Sequence, residues 1–357
     1  MSNTWGKNIR LSIFGESHGA GIGMVLDGLP AGTPIDREEI RRQMARRAPG
    51  GALATSRKEA DEVEFLSGIV DDVTCGSPIC GIIRNTNTRS HDYEKTKAWL
   101  RPSHADYTAS VKYHGFADFR GGGHFSGRIT APLVLAGSLC AQVLKQHFAL
   151  QTGSHILQLG AYEEAGWRSP EPALLEQMAQ STVPCEQPET VKQIIEEVRL
   201  EADSVGGRVE TAICGVPAGW GDPFFDSLES CLAHLLFSVP AVKAVSFGAG
   251  ERFGAMRGSQ ANDAFCIQNG SIQTRTNHNG GILGGISSGM PIIFQTTIKP
   301  TPSIGQRQRS VNLQTMQEEE RQIVGRHDPC IVLRAIPVLE AVANIALLDA
   351  WKGADIR

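Results

Sequence analysis

Strand-like and helix-like segments interleave along this chain from one end to the other, and no low-complexity linker separates them. Arg10 to Phe14 alternates apolar Leu11 and Ile13 with polar Ser12, the period of a half-buried strand. Asp36, with Glu39 three residues on and Ile40 and Met44 at helical spacing, predicts a capped helix that Pro49-Gly50-Gly51 stops. Val63 to Asn85 reads as strand, with turns at Asp71-Asp72 and Gly76-Ser77-Pro78. Thr130 to Phe148 predicts an apolar helix with Pro132 near its start. Val191, Ile194, Ile195 and Val198 mark an amphipathic helix, capped by Gly206-Gly207 before a strand from Arg208 to Val216. Leu228, Leu232, Leu235 and Leu236 mark another helix, ended near Pro240 and followed by a strand from Val242 to Phe247. Pro337 to Trp351 predicts an apolar final helix. Such interleaving is the pattern of layered α and β structure, an α/β fold, and excludes all-α and all-β architectures.

Length alone would accommodate roughly two domains. Ser169 to Glu189, rich in Pro and Glu, is the best boundary candidate, though an exposed loop within one domain serves as well. Gly76-Ser77-Pro78-Ile79 and Gly289-Met290-Pro291-Ile292 each open a β-branched run, a faint echo that fits two similar halves forming one body.

Glycine makes up 39 of the 357 residues, against a usual level of about 7%. That excess points to backbone shaped for tight turns or for close approach to a ligand. The net charge of −4 argues against a coat of nucleic acid or an anionic membrane surface. The apolar stretch from Ala131 to Leu144 falls short of the ~20 residues that span a bilayer. The opening Met1 to Lys7 has neither the apolar core nor the cleavage site of a secretory signal. The 8 cysteines include no C-x-x-C pair and sit mostly among apolar or small residues, as buried thiols of a reducing cytoplasm do.

Two glycine clusters stand out. Arg120-Gly121-Gly122-Gly123-His124-Phe125-Ser126-Gly127-Arg128 directly precedes the apolar helix, where backbone N–H groups and the positive dipole end can hold an anion. It matches neither the P-loop, since Arg128 and Ile129 replace Lys and Ser/Thr, nor the dinucleotide fingerprint. Asn277 to Gly289 is either a mobile loop or a backbone packed flat against something, and a flat aromatic cofactor would suit it. Lys299-Pro300-Thr301-Pro302-Ser303 follows with phosphate donors. His18, His104 and His327 each lie in Gly/Pro-shaped loops, the latter two beside arginine, an arrangement suited to acid catalysis on a phosphorylated substrate. No histidine or cysteine spacing supports a metal site. Arg46-Arg47 either adds to an anion site or complements the dipole at a helix end.

Taken in order, Gly15-Glu16-Ser17-His18-Gly19, Arg101-Pro102-Ser103-His104-Ala105-Asp106-Tyr107, Arg120 to Gly123, Gly280 to Gly289 and Gly325-Arg326-His327-Asp328-Pro329-Cys330 resemble the chorismate synthase family. The resemblance runs from residue 8 to about residue 345. It implies a β-α-β sandwich of two pseudo-repeated halves, with residues 1–357 as one domain, assembled as a homotetramer. It implies a lyase that converts 5-enolpyruvylshikimate 3-phosphate to chorismate and phosphate by anti-1,4-elimination, with reduced FMN and no net redox change. NADPH is a candidate reductant. By the resemblance, His18 lies near the leaving phosphate, His104 protonates the reduced flavin, and Asp328 stands beside flavin N5. His124, Phe125, Ser126, Ala241, Gly284, Lys299, Pro300, Thr301, Pro302, Ser303 and Arg326 match flavin positions. Arg47, Arg101 and Arg128 match arginines for substrate or NADP(H).

The chain departs from the family at Gly51 to Arg57, where many members carry a short arginine-containing segment. It departs again at Ser103 and His124, where members commonly have Gly and Arg. Two other functions compete with this reading. A flavin reductase would oxidise NADPH, and an RNA or anion binder would use the arginines without catalysis, although 6% aromatics is thin for a stacking surface.

Overall fold

The computed structural model describes residues 3–49, 61–86, 98–268, 270–323 and 328–355. In order, the first half runs through β1 (Arg10–Gly15), β2 (Gly21–Asp27), α1 (Arg37–Arg47), β3 (Val63–Ser67), β4 (Ile79–Arg84) and α2 (Thr130–Phe148). The second half repeats that sequence with β5 (Gln151–Leu159), β6 (Gly207–Cys214), α3 (Leu228–Ser238), β7 (Val242–Phe247), β8 (Ile292–Ile298) and α4 (Val332–Asp355).

The two halves share their sheet order as well. Each sheet is five-stranded, one β1-β2-β4-β3 with Thr4–Trp5 at its edge, the other β5-β6-β8-β7 with Tyr162–Glu163 at its edge. All neighbouring strands are antiparallel. The four-residue echo in the sequence now has a position: Ile79 and Ile292, both fully buried, begin the equivalent strands β4 and β8.

The helices form the middle layer. Ile22, Met24, Leu26, Ile79 and Ile83 of the first sheet share one continuous apolar cluster with Leu135 and Leu139 of α2, Leu339 and Val342 of α4, and Ile156 and Phe294 of the second sheet. Gly81 of β4 lies under Leu135, and an added Cβ there would come within 2.6 Å of its Cδ2. Gly137 of α2 crosses α4 so closely that a Cβ would sit 2.4 Å from the Ala341 Cα. Small residues at that crossing let the two pseudo-equivalent helices touch backbone to backbone. By length and composition Gly127–Phe148 is apolar enough to cross a membrane, contrary to the shorter span read from sequence. Its window is instead 78% buried, between this protein's own sheets.

Most segment boundaries agree with the sequence pattern. Asp36 caps α1 by accepting from the Glu38 and Glu39 amides. The reciprocal half of the capping box is absent, because Glu39 turns to Arg42 and the Asp36 amide donates to Gln142. The last helix starts at Val332, five residues before Pro337, which lies inside it rather than opening it. Ser169 to Glu189 is no boundary: it carries the helix Pro172–Gln180, whose Leu175 packs on Ala212, Cys214 and Ile293 of the second sheet. The same covering layer is held by His155. This buried ring stacks on Trp167 at 4.1 Å and engages Glu164 through Nδ1 and Glu210 through Nε2. Burial opposes charge on His155, yet the bonds to both carboxylates outweigh it and raise its pKa. All eight cysteines are free thiols, and Cys75 is exposed, unlike the buried Cys140, Cys185, Cys214 and Cys330.

Candidate active site

The connections from β4 to α2 and from β8 to α4 are equivalent in the two halves, and they meet. The Leu100 amide donates to the Val311 carbonyl at 2.9 Å, and the Leu313 amide to the Ala98 carbonyl at 2.8 Å. The hairpin Arg307–Asn312 and Gln317–Gln322 belongs to the second connection. Where the connections touch, the His104 Nε2 and Ser303 Oγ share a hydrogen bond of 2.8 Å, and Lys299 Nζ donates to the Ser103 carbonyl at 2.8 Å. Ser103 itself adopts a left-handed φ of 57°, which turns its carbonyl to that lysine.

Charge around His104 is arranged against protonation. Burial and the neighbouring Arg101 push its pKa down to about 4. Arg101 is held in place by Asp106, which takes its Nε at 2.8 Å, its guanidinium at 2.7 Å and its amide at 3.0 Å. Burial and Lys243 lower the pKa of Lys299. This corner therefore holds cations that favour an arriving anion.

Lys299 to Ser303 rests on the turn before β6. Ser204 Oγ donates to the Thr301 carbonyl at 2.6 Å, the Lys299 amide donates to the Ala241 carbonyl at 2.9 Å, and Gly206 leaves room for Pro300. The Val205 amide reaches the Pro329 carbonyl at 2.9 Å, so the same turn brings Asp328 into the neighbourhood. Asp328 is buried, and burial raises its pKa against the opposing influence of Arg334, whose guanidinium donates to Oδ2 at 2.7 Å. Asp328 Oδ1 and Thr301 Oγ1 are buried and have no hydrogen-bond partner among the described residues.

His18 is buried in the loop after β1. The Ser17 hydroxyl donates to the Arg120 carbonyl at 3.2 Å, which leaves its lone pair for His18 Nδ1 at 3.2 Å. The glycine loop packs against this ring. Gly121 has φ 61°, and a Cβ on it would lie 2.1 Å from His18 Cε1. Gly123 sits under the Asp118 carbonyl, with only 2.0 Å for a Cβ. These glycines serve close packing around His18, and Arg120 folds back on Asp118 instead of facing outward. His124 bridges the Gly15 carbonyl at 2.8 Å and Asn3 Oδ1 at 3.2 Å, pinning the loop to the end of β1. Phe125 stays 43% exposed, with its ring 6.3 Å from that of Tyr113. Ser126 caps the turn into α2 by accepting from the Arg128 amide at 3.3 Å.

A sequence model of the chorismate synthase family matches residues 9–351. The chain belongs to the chorismate synthase family. A chorismate synthase of Methanocella arvoryzae is 43% identical over 355 residues, covering 97% of this chain and 93% of the relative. One from Dehalococcoides mccartyi is 44% identical over 353 residues, covering 98% and 96%. One from Thermococcus gammatolerans is 41% identical over 357 residues, covering 98% and 99%. A solved structure titled as a crystal structure of chorismate synthase superposes with a TM-score of 0.75 at 29% identity, covering 97% of this chain and 92% of that one. Chorismate synthases are lyases and perform the last step of the shikimate pathway, so this chain is an enzyme of that class.

Against the residues expected from the chorismate synthase pattern, the structure joins His104 to Ser303 and His18 to the glycine loop. Gly280 and Gly281 pack under the carbonyls of Ile293 and Pro291, at the start of β8, while Lys299 follows its end, about 20 Å away at the usual rise per strand residue. On the side a Cβ would take, Gly280, Gly281 and Gly285 approach this chain's own backbone, and nothing lies within 4 Å of Gly284. Ala241, at φ 74°, does lie beside Lys299.

Arg47 and Arg128 are not open guanidiniums. Arg47 is 1% exposed and donates to Asp61 Oδ2 at 2.7 Å, while Arg128 pairs with Asp61 Oδ1 and donates through Nε to Asn85 at 3.0 Å. Arg46 reaches Glu340 of α4 at 2.6 Å, so its role is to tie helices together. Arg57, Arg326 and His327 lie outside the described residues. The sequence assigns no role to Asn85, Asp61 and Arg334, and Asp106 appears in it only as part of the Arg101–Tyr107 motif. Asp61 sits in the acidic run Glu59-Ala60-Asp61-Glu62, which reads as a solvated surface, and Asn85 and Arg334 carry no local signal.

Proposed function

We propose that this protein converts 5-enolpyruvylshikimate 3-phosphate to chorismate and phosphate by anti-1,4-elimination, with reduced FMN and no net redox change. The observation that carries this reading is the corner where His104, Ser303 and Lys299 meet, with the segment of Asp328 tied to the same supporting turn through the Val205–Pro329 hydrogen bond. Its residues fit a phosphorylated flavin: Thr301 Oγ1 and Asp328 Oδ1 are buried polar atoms without a partner among the described residues, and Lys299 and Ser303 offer donors beside them. Lys299, Thr301 and Ser303 would hold the flavin phosphate, with Pro300 and Pro302 stiffening the loop and Ala241 beneath it. His124, Phe125 and Ser126 would frame the opposite side, and Arg326 would add a further cation. When bound, reduced FMN supplies electron density as the substrate C–O bond breaks.

The protein's own groups have distinct tasks in this reading. His18, whose Nδ1 is turned to Ser17, would act as an imidazolium, giving its Nε2 proton to the leaving phosphate while Ser17 engages the Nδ1 proton. His104 is neutral near pH 7 in the free protein, and an anion placed against it raises its pKa and lets it take a proton. Asp328, its pKa raised by burial, is poised to receive the substrate proton.

The large apolar cluster shared by both sheets and the helices between them supports one domain over the whole chain. Phe224 and Phe225, 86% and 95% exposed, offer apolar surface for subunit contacts in a homotetramer. Eight free thiols fit a cytoplasmic setting, with NADPH as a candidate source of electrons for the flavin. In an anaerobic assay, phosphate release is expected to collapse in His18→Ala and His104→Ala. Undiminished turnover in both variants would overturn the assignment.

A further inference from the structure

The acid–base residues of the proposed reaction lie far apart in sequence, yet one continuous chain of hydrogen bonds joins their supports. Asn85 Nδ2 donates to the carbonyls of Glu16 at 2.9 Å and Gly19 at 3.0 Å, the two sides of the His18 loop. Asn85 Oδ1 accepts from Arg128 Nε at 3.0 Å. Arg128 pairs with Asp61 Oδ1, and Asp61 Oδ2 accepts from Arg47 at 2.7 Å. The Arg47 carbonyl accepts from Arg334 Nε at 3.0 Å, and Arg334 donates to Asp328 at 2.7 Å. Every link is within hydrogen-bonding distance, and the three residues at the centre, Arg128, Asp61 and Arg47, form ion pairs.

Asp61 occupies the middle of this chain. Its side chain is 3% exposed, and those of Arg47 and Arg128 are 2% and 8% exposed. Two guanidiniums brought this close in a desolvated place repel each other unless an anion lies between them. One carboxylate, giving one oxygen to each, both cancels that repulsion and fixes the separation of the two arginines.

We propose that Asp61 is a positioning residue of the reaction, holding Arg128 with the His18 loop at a set distance from Arg47 and, through Arg334, from Asp328. This rests on the roles of His18 and Asp328 proposed above. The carboxylate contacts neither substrate nor flavin in this proposal; it acts through the arginines. Its charge has a second consequence. Asp61 partly neutralises the two cations, so it tempers their attraction for free anions while keeping them aligned.

The test is Asp61→Asn in the full chain, assayed anaerobically with reduced FMN, with inorganic phosphate as the anion probe. The amide keeps the shape, can accept from only one arginine and removes the charge. The expected kcat is at least about tenfold lower, the scale on which small misplacements act. Inhibition by inorganic phosphate is expected at roughly threefold lower concentration, because the paired arginines lose their counter-ion. A kcat close to wild type overturns the proposal, and so does a parallel loss of turnover and phosphate affinity, the mark of general damage. If Asp61→Asn does not fold, Asn85→Ala breaks the same chain without changing charge. It is expected to lower kcat by a similar factor and to leave phosphate inhibition unchanged, and wild-type kcat in that variant overturns the proposal. The wild-type protein run alongside separates the two claims: no chorismate from it refutes the function, whereas normal turnover with unaffected variants refutes the network alone.

Discussion

Gly121→Ala tests whether the glycine loop sets the position of His18. The new methyl would lie 2.1 Å from His18 Cε1 and 2.3 Å from Nδ1, while ordinary contact begins at 3.4 Å, so the ring must retreat by about 1.3 Å (3.4 minus 2.1). His18 is buried, and the same methyl would lie 2.9 Å from the Ser17 Oγ that bonds the ring, so little room exists for a harmless rotation. A 1 Å error at a reacting group costs about 10²-fold in rate. The left-handed φ of 61° adds strain of about 1–2 kcal/mol to the folded state. That corresponds to a few degrees in Tm for a chain of this size. Steady-state chorismate formation with reduced FMN should therefore fall about 100-fold while the protein stays folded at assay temperature. Gly122→Ala is the control. Its φ of 90° is also strained, yet its nearest neighbour, the Ser126 Cβ, is 3.7 Å away. It should lose stability and keep kcat within about threefold, less than 1 kcal/mol of barrier. Equal losses in the two variants would refute the reasoning, because backbone strain alone would then explain both.

Three further outcomes follow from the same geometry. His104 has its pKa lowered from 6.5 to about 4, so the unfolded chain binds this proton more readily between those values. Its contribution to stability is present above pH 6.5 and is lost as pH falls toward 4, by about 3 kcal/mol at most, and urea midpoints of His104→Gln should lack that slope. Gly137→Ala would gain about 1 kcal/mol of helix propensity in an open helix. Its methyl would meet the Ala341 Cα at 2.4 Å, so a net loss of about 1–3 kcal/mol is expected, and a raised Tm would contradict the helix crossing. His155→Gln leaves Glu164 and Glu210 without their shared cation and should cost about 3–5 kcal/mol in denaturant titration. In the wild type that contribution is full below pH 6.5 and fades as pH rises through the raised pKa, so an unchanged urea midpoint at neutral pH would contradict a charged His155.

The segments that sequence reading placed well are those whose stability is local. Thr130 to Phe148 and Val242 to Phe247 have the observed bounds because apolar run, turn residues and length all agree. Pro337 misled the start of the last helix, since proline favours first turns, while here five residues of helix precede it. The Gly76 and Gly289 echo was a true sign of two halves, but the shared strand order that explains it is a long-range property. The site divides in the same way. His18, His104 and Asp328, the acid–base residues proposed above, stand in family motifs, whereas the partners of Arg47 and Arg128 have no such marker. Asp61, Asn85 and Arg334 act only because three distant chain segments converge, and an acid in an acidic run looks like solvent-facing charge until its burial is seen.

The central claim is that this site eliminates phosphate from an enolpyruvyl shikimate phosphate only with reduced flavin in place. Purified protein, the substrate and chemically reduced FMN, mixed without oxygen, should release chorismate and inorganic phosphate in equal amounts over many turnovers. The same mixture with oxidised FMN, or with none, should stay silent. Equal turnover without flavin, or phosphate release without chorismate, would contradict the account.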